Sequence, residues 1–348
     1  MKRLTGLIIL ALAGCGALAA SSLGQGSSTV GLAFIKDSRA TTTVWVAAAN
    51  GTGARKLGVG EGALLSPNGQ LVASAGFGAH PGLLVYKVGG GTLAGVPPLT
   101  KDTVMPLAWS PDSTYLAVEL YDTELGSGPG NAGVDVIDIV TGQVTAMAAG
   151  VVEGASFAPT GSDRVVFGLT QSQTYSKPAN LYTLPADGSA PATQITHDGH
   201  SIDPVWGARG IVFVRTRNRG KDEAPAYHLE LLNGTTVTAI ASPKPSALVD
   251  GLYPVAIASD GTHLVAEYAG EDTSQAYAVN LATNRFKQLG ATQDSAQGWG
   301  ISKDGTRVLI SHGGFENPSK YSTIATVPFG GGTPTTLVKG GDFPSWNQ

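Results

Sequence analysis

Short apolar runs alternate along this chain with turns rich in Gly, Pro, Asp and Asn, and the arrangement recurs. Six segments place a turn directly before an apolar run: SPNGQLVASAG from Ser66, SPDSTYLAVEL from Ser110, APTGSDRVVFGL from Ala158, WGARGIVFVRT from Trp206, SDGTHLVAEYA from Ser259 and SKDGTRVLISH from Ser302. A bulky apolar residue marks each turn, at Leu65, Trp109, Phe157, Trp206, Ile257 and Ile301, and Trp346 repeats it in FPSWNQ. The steps between these positions are 44, 48, 49, 51, 44 and 45 residues. Each repeat then predicts a third strand, at 83–88, 134–139, 180–184, 227–232, 276–281 and 323–327. These alternate imperfectly, as strands covered on both faces do. Turns such as Thr141-Gly142, Asp187-Gly188 and Asn233-Gly234 supply positive φ at little steric cost, and a short fourth strand follows (VTAMA, ATQIT, VTAIA, FKQLG, TTLVK).

A step of about 47 residues with four strands per repeat is close to the blade period of a β-propeller. The chain ends complete the count. VGLAFIKD at 30–37, TTVWVAA at 42–48 and ARKLG at 54–58 read as second, third and fourth strands lacking a first, and FPSWNQ at 343–348 reads as a first strand with nothing after it. Joined, they make one blade and leave no free edge. The expectation is an all-β, seven-bladed propeller over 29–348, closed by pairing of N- and C-terminal strands, with four strands in every blade. Six or eight blades fit the count less well, and an open solenoid leaves the complementary ends unexplained.

Asp203-Pro204-Val205-Trp206, Trp109-Ser110-Pro111-Asp112 and Ser302-Lys303-Asp304-Gly305 resemble the D-P-x-W-S-P-D-G repeat of TolB-like, or WD40-like (PD40), propellers, and QITHDGHSIDPVW at 194–206 is the fullest copy. The resemblance implies an aromatic wedge between blades and a tight Pro-Asp-Gly turn. TolB carries an α/β domain and six blades. The count of seven, and the lack of a segment for that domain, depart from the family and do not imply a Tol–Pal role.

The first residues predict an address. Lys2 and Arg3 precede the apolar stretch LTGLIILALA, too short for a permanent span of about 30 Å, so 1–14 reads as a signal peptide. It ends in Leu12-Ala13-Gly14-Cys15, which resembles the bacterial lipobox, whose cysteine thiolate takes up the lipid. Cys15 is the chain's only cysteine. The expectation is a protein lipid-anchored through Cys15 and extracytoplasmic, on the periplasmic side of the outer membrane if the host has one. Residues 15–28 form an uncharged tether with a reach of about 20 Å.

Composition narrows the function classes. Charged residues make up 14% and hydrophobic ones 42%, the opposite of a disordered chain. The 48 Gly and 20 Pro exclude a long-helix architecture. A net charge of −4 gives no support to a nucleic-acid partner. There is no G-x-S-x-G elbow, no phosphate loop and no H-E-x-x-H. His197-Asp198-Gly199-His200 is the one close histidine pair and lacks a third ligand, so no metal, cofactor or catalytic residue is expected.

The longer connections, 121–133, 171–180, 215–225, 270–275 and 312–321, fall between second and third strands, on one side of the disc. Binding residues concentrate on such loops. The candidate partner-binding residues are Tyr121, Asp122, Glu124, Arg215, Arg217, Arg219, Glu271, Asp272, His312 and Glu316. Arg215, Arg217 and Arg219 share one face if their strand continues. The bland reading is a solvated rim in which the 215–221 cations pair with Asp222 and Glu223. The expectation is a monomeric, non-catalytic module for an envelope protein, peptide or peptidoglycan-linked partner. Two other classes stand beside it: a sugar or lactone enzyme using carboxylates such as Asp122 and Glu271 across the channel, and a small-molecule sensor. Replacing Cys15 by Ser is expected to move the protein from the membrane to the soluble fraction; continued tight membrane association on fractionation would contradict the lipobox reading.

Overall fold

The computed structural model describes residues 30–347 apart from 38–40, 78–80, 97–98, 100–102, 122–131, 161–162, 171–177, 218–225, 244–250, 270–273, 291–294 and 314–321. The described residues contain strands and turns but no helix. The strands form successive antiparallel units of three or four. In chain order their first strands are Glu61–Leu65, Thr103–Trp109, Val151–Phe157, Ser201–Gly207, Leu252–Ile257 and Ala296–Ile301. The unit preceding these takes its first strand, Asp342–Trp346, from the other end of the chain, where it pairs antiparallel with Val30–Asp37. We number this composite unit 1, and the others 2 to 7.

Each first strand lies against the first strand of the next unit, and that of unit 7 against Asp342–Trp346. The first strands therefore form an inner ring. Units 6 and 7 run on as one eight-stranded sheet through a single parallel pair, Gln275 with Ala296.

Apolar residues on both faces of the middle strands dictate this arrangement. Among the described residues there are seven core clusters, each made chiefly by two neighbouring units; the one between units 5 and 6 also takes in Ala179 of unit 4. Val265, Ala276 and Ala278 of unit 6 meet Ile301, Val308 and Ile310 of unit 7. Leu309 and Ile324 of unit 7 meet Leu32 and Phe34 of unit 1. An open row of seven sheets would have six such interfaces. The seventh exists because residues 30–59 and 342–346 share a sheet, so every sheet is covered on both faces, which is why their strands read as continuous apolar runs.

The expected turn before each second strand has a specific hydrogen-bond pattern. The Ser302 hydroxyl donates to Asp304 Oδ1 at 2.6 Å, Asp304 Oδ1 accepts the Thr306 N–H at 3.0 Å, and Ser302 Oγ accepts the Arg307 N–H at 3.0 Å. Ser110 with Asp112, and Ser66 with Asn68, repeat it. The Ser302 hydroxyl foremost, then Thr306, holds the Asp304 carboxyl below its usual range. The hairpin at Asn233-Gly234 places Gly234 at φ 59°, as its turn requires.

One strand expectation fails. Among the described residues unit 2 has three strands, Glu61–Leu65, Leu71–Gly76 and Gly82–Lys87, and only an isolated bridge, Tyr86 with Thr92, where the fourth belongs. The segment here is Gly89-Gly90-Gly91 with Pro97-Pro98 beyond. Glycine raises the entropic cost of a strand and proline has no ladder donor.

The wedge residues do what the resemblance implied, by two routes. Trp109 of unit 3 donates its indole N–H to Leu64 O of unit 2 at 3.0 Å. Trp346 packs over Gly300 of unit 7, where an added Cβ would come within 2.9 Å of the indole nitrogen, and that nitrogen is buried without an acceptor. Ser345 locks the other side, accepting Leu65 N–H at 2.8 Å and donating to Ala63 O at 2.5 Å. Trp346→Ala is expected to cost about 3–5 kcal/mol in denaturant unfolding. Trp346→Phe, which keeps the ring and removes the orphan donor, should stay within about 1 kcal/mol of the parent. Deleting 343–348 removes the closing strand, and an unchanged melting temperature would refute the role given to it.

Candidate functional site

The inner ring has a one-signed composition. Its seven strands carry Glu61, Glu153, Asp203 and Asp342, and no Lys, Arg or His. Three residues ahead of the bulky position, the ring reads Gly62, Pro106, Gly154, Asp203, Pro254, Gly298 and Phe343. The pairing register between first and second strands shifts at or beside this place in every unit. Such bulges bend a strand and re-aim its side chains. Gly62, Gly154, Asp203 and Phe343 are left-handed there, at φ 74°, 75°, 50° and 45°. The conformation is free for Gly, tolerable for Asp and costs an ordinary L residue roughly 1 kcal/mol or more.

The bulge gathers carboxylates from adjoining units at one end of the ring. Glu119, on the second strand of unit 3 (Tyr115–Tyr121), pairs in register with Met105 of the inner strand. Glu153 of unit 4 and Asp203 of unit 5 follow around the ring. A Cβ on Gly154 would lie 3.2 Å from Asp203 Oδ1, so that glycine leaves room for the acid, and one on Gly168 would strike the Glu153 backbone carbonyl at 2.4 Å, so that glycine admits the Glu153 main chain. Glu267, on the second strand of unit 6 (His263–Ala269), accepts hydrogen bonds from the Ser274 hydroxyl and the Gly298 N–H. Burial pushes Glu119, Glu153 and Glu267 up to about 7, with Asp203 and Glu119 adding repulsion at Glu153. Burial likewise raises Asp203 to about 6. All four keep part of their surface in contact with solvent.

The seam between units 7 and 1 completes the wall. Trp299 donates its indole N–H to Ser311 Oγ at 2.8 Å; Ser311 hydrogen-bonds the buried Asp342 carboxyl, which also accepts Phe343 N–H at 2.9 Å. Burial raises Asp342. The Phe343 ring lies 5.0 Å from that of Trp299 and stays 47% exposed.

Of the candidates read from the sequence, Arg215 is held on both sides. Its guanidinium meets Asp198 Oδ2 at 2.5 Å and Glu230 Oε2 at 2.6 Å; Asp222 and Glu223, the partners expected for the 215–221 cations, lie outside the described residues. Asp198, inside the histidine pair, also accepts from His200 N–H and the Ser201 hydroxyl, both at 2.9 Å. Its oxygens serve a structural clamp. Arg217 ends the same strand, exposed and on the same face as Arg215, and His312 ends the second strand of unit 7, half-buried. Tyr121 ends a strand as well. Asp122, Glu124, Arg219, Glu271, Asp272 and Glu316 lie outside the described residues, as does Cys15. The structure adds Glu119, Glu153, Glu267, Trp299 and Phe343, which the sequence reading passed over, and gives Asp203, read there only as part of the repeat motif and as a possible calcium ligand beside Asp198, a place in this wall. The signal available was Asp203 in place of Gly at the repeat's bulge.

No protein-family model matches the sequence, and a search of curated proteins finds no match. Solved structures do match. The β-propeller domain of the Trilobed protease from Pyrococcus furiosus aligns over 88% of this chain and 92% of its own, at 12% identity and a TM-score of 0.61. The chain is a β-propeller. That archaeal domain has an open velcro topology, whereas here Asp342–Trp346 pairs with Val30–Asp37. A puromycin-hydrolyzing peptidase from Mycobacterium tuberculosis aligns over 90% of this chain at 12% identity and a TM-score of 0.61, and the chain spans 53% of it. TolB from Acinetobacter baumannii matches over 75% of this chain at 16% identity and a TM-score of 0.48, and the chain spans 63% of it.

The raised carboxyls make a test. Each binds its proton more tightly folded than unfolded, so its contribution to stability is full below the unfolded pKa and lost as pH rises through about 7. Stability is expected to fall as pH rises from the ordinary carboxyl value of 4.5 to about 7, by on the order of 1 kcal/mol per carboxyl once water access is allowed for, and to level off above that. Glu153→Gln should flatten that slope and raise the melting temperature at pH 8; an unchanged slope would contradict the assignment.

Proposed function

We propose that this propeller is a non-catalytic binding module, tethered at an extracytoplasmic membrane face through Cys15, and that its partner docks where the inner ring opens among the longer loops. The observation that carries the reading is the carboxylate-only inner ring. Burying like charges at about 7 opposes folding, and such groups persist where a site needs them. A channel lined by one sign also focuses its field on what approaches. The second-to-third-strand connections begin at this end, beside Arg217 and His312. The candidate loop residues Tyr121, Asp122, Glu124, Arg219, Glu271, Asp272 and Glu316 belong to the proposed rim. The partner is an envelope protein or peptide, positively charged where it meets the ring.

A second reading draws on the same carboxyls. A group near 7 can act as a general acid, and paired carboxylates hydrolyse glycosides at separations of about 5–5.5 or 6.5–9.5 Å. Under that reading Glu153→Gln abolishes turnover of a sugar or lactone substrate.

In-cell crosslinking followed by mass spectrometry separates the two. Wild type is expected to capture a partner that is lost when Glu119, Glu153 and Glu267 are all changed to Gln, and weakened by alanines at 217–219 and 271–272. Capture unaffected by the Gln changes would remove the ring from the docking face.

A further inference from the structure

Phe343 is out of place by the ring's own pattern. The same bulge position holds Gly in three units and Pro in two, and the left-handed backbone at Phe343 suits neither its bulk nor its chemistry. Its ring gains little burial in exchange, remaining 47% exposed while Leu32 and Phe34 of the same unit are fully buried. Yet it is held firmly. The backbone N–H is tied to the Asp342 carboxyl, and the ring rests against Trp299, itself anchored to Ser311. A residue kept in a costly conformation with a fixed, solvent-facing ring points to use.

What the ring meets follows from its surroundings. The inner ring offers negative charge and no Lys, Arg or His to balance it. Two cations at the ends of second strands are engaged, Arg215 by two carboxylates and Lys36 over the Trp45 ring at 4.8 Å, while Arg217 stands exposed at the end of its strand in unit 5. In the cyclic order of seven, unit 1 stands opposite units 4 and 5, which carry Glu153 and Asp203. An aromatic platform thus faces an acidic wall. A guanidinium is planar, weakly hydrated and suited to stacking on an aromatic face.

We propose that Phe343, seated on Trp299, is a stacking platform for an arginine side chain presented by the partner, with Glu153 and Asp203 supplying the opposing charge. The proposal rests on the reading of this mouth as the docking face and names the group recognised there.

The test titrates the full chain with capped Ala-Arg-Ala and with the same peptide carrying citrulline, which keeps the planar group and loses the charge. Binding is read by calorimetry, beside a melting curve for each variant. Wild type is expected to bind the arginine peptide at least about tenfold more tightly than the citrulline one. Phe343→Gly should lose about tenfold while melting no lower than wild type, because Gly relieves the backbone. Phe343→Tyr should keep the affinity. Asp203→Asn suits the left-handed position and should weaken binding without unfolding the ring. Equal binding of the two peptides, wild-type affinity in Phe343→Gly, or no arginine binding at about 10 mM would each overturn the proposal. Captured partner retained by Phe343→Gly in cells would also sink the platform, while leaving the binding-module reading intact.

Discussion

Sheets that are apolar on both faces cannot sit at the end of a row. Every other feature of this protein follows from that constraint. Seven strand units with seven shared cores leave no terminal face, and the arrangement exists only because Asp342–Trp346 crosses to the unit begun at Val30. Ser345 then ties that strand to Ala63 and Leu65 of the next unit, so one short segment joins three units. The inner ring is a rigid frame because no unit can relax away from its neighbours without exposing core.

The two ends of the ring are built differently. At one end the Ser–Asx turns satisfy their own backbone groups within a few residues, and neighbouring turns touch lightly, as Asn68 N–H does at Ser113 Oγ. At the other end polar groups are crowded. Buried carboxyls are pushed toward neutrality, a cation is clamped between two acids, and an aromatic ring is held in a left-handed bulge. The self-contained turns lie at the first end, and the unusual chemistry at the second.

The architecture was legible because its marks are local. A bulky residue before a Ser-x-Asp turn needs no knowledge of distant strands, and the complementary end fragments reveal the closure. The fourth strand of unit 2 was counted from the period although Gly89 to Gly91 argued against it. The candidate site was less legible for a different reason. At each inner strand the register shift breaks the two-residue alternation, so whether Glu153 or Asp203 faces the channel cannot be counted from the sequence. Glu119 and Glu267 occupy equivalent second-strand positions that only the pairing reveals. Arg215 looked free because Glu230 lies a strand away and Asp198 in the loop before its unit.

The closure also dictates an order of events in the cell. Ser345 and the Leu65 N–H it meets are 280 positions apart, so the residue that locks the ring is synthesised long after the surface it locks. Until it arrives, Val30–Asp37 presents an unpaired strand edge and the cores on either side of unit 1 stay incomplete, a state prone to wrong pairing. Contacts this distant in sequence form slowly. A chain crossing a membrane as an unfolded thread would complete its ring only on the far side, and the half-built ring is the form that chaperones there would have to shield.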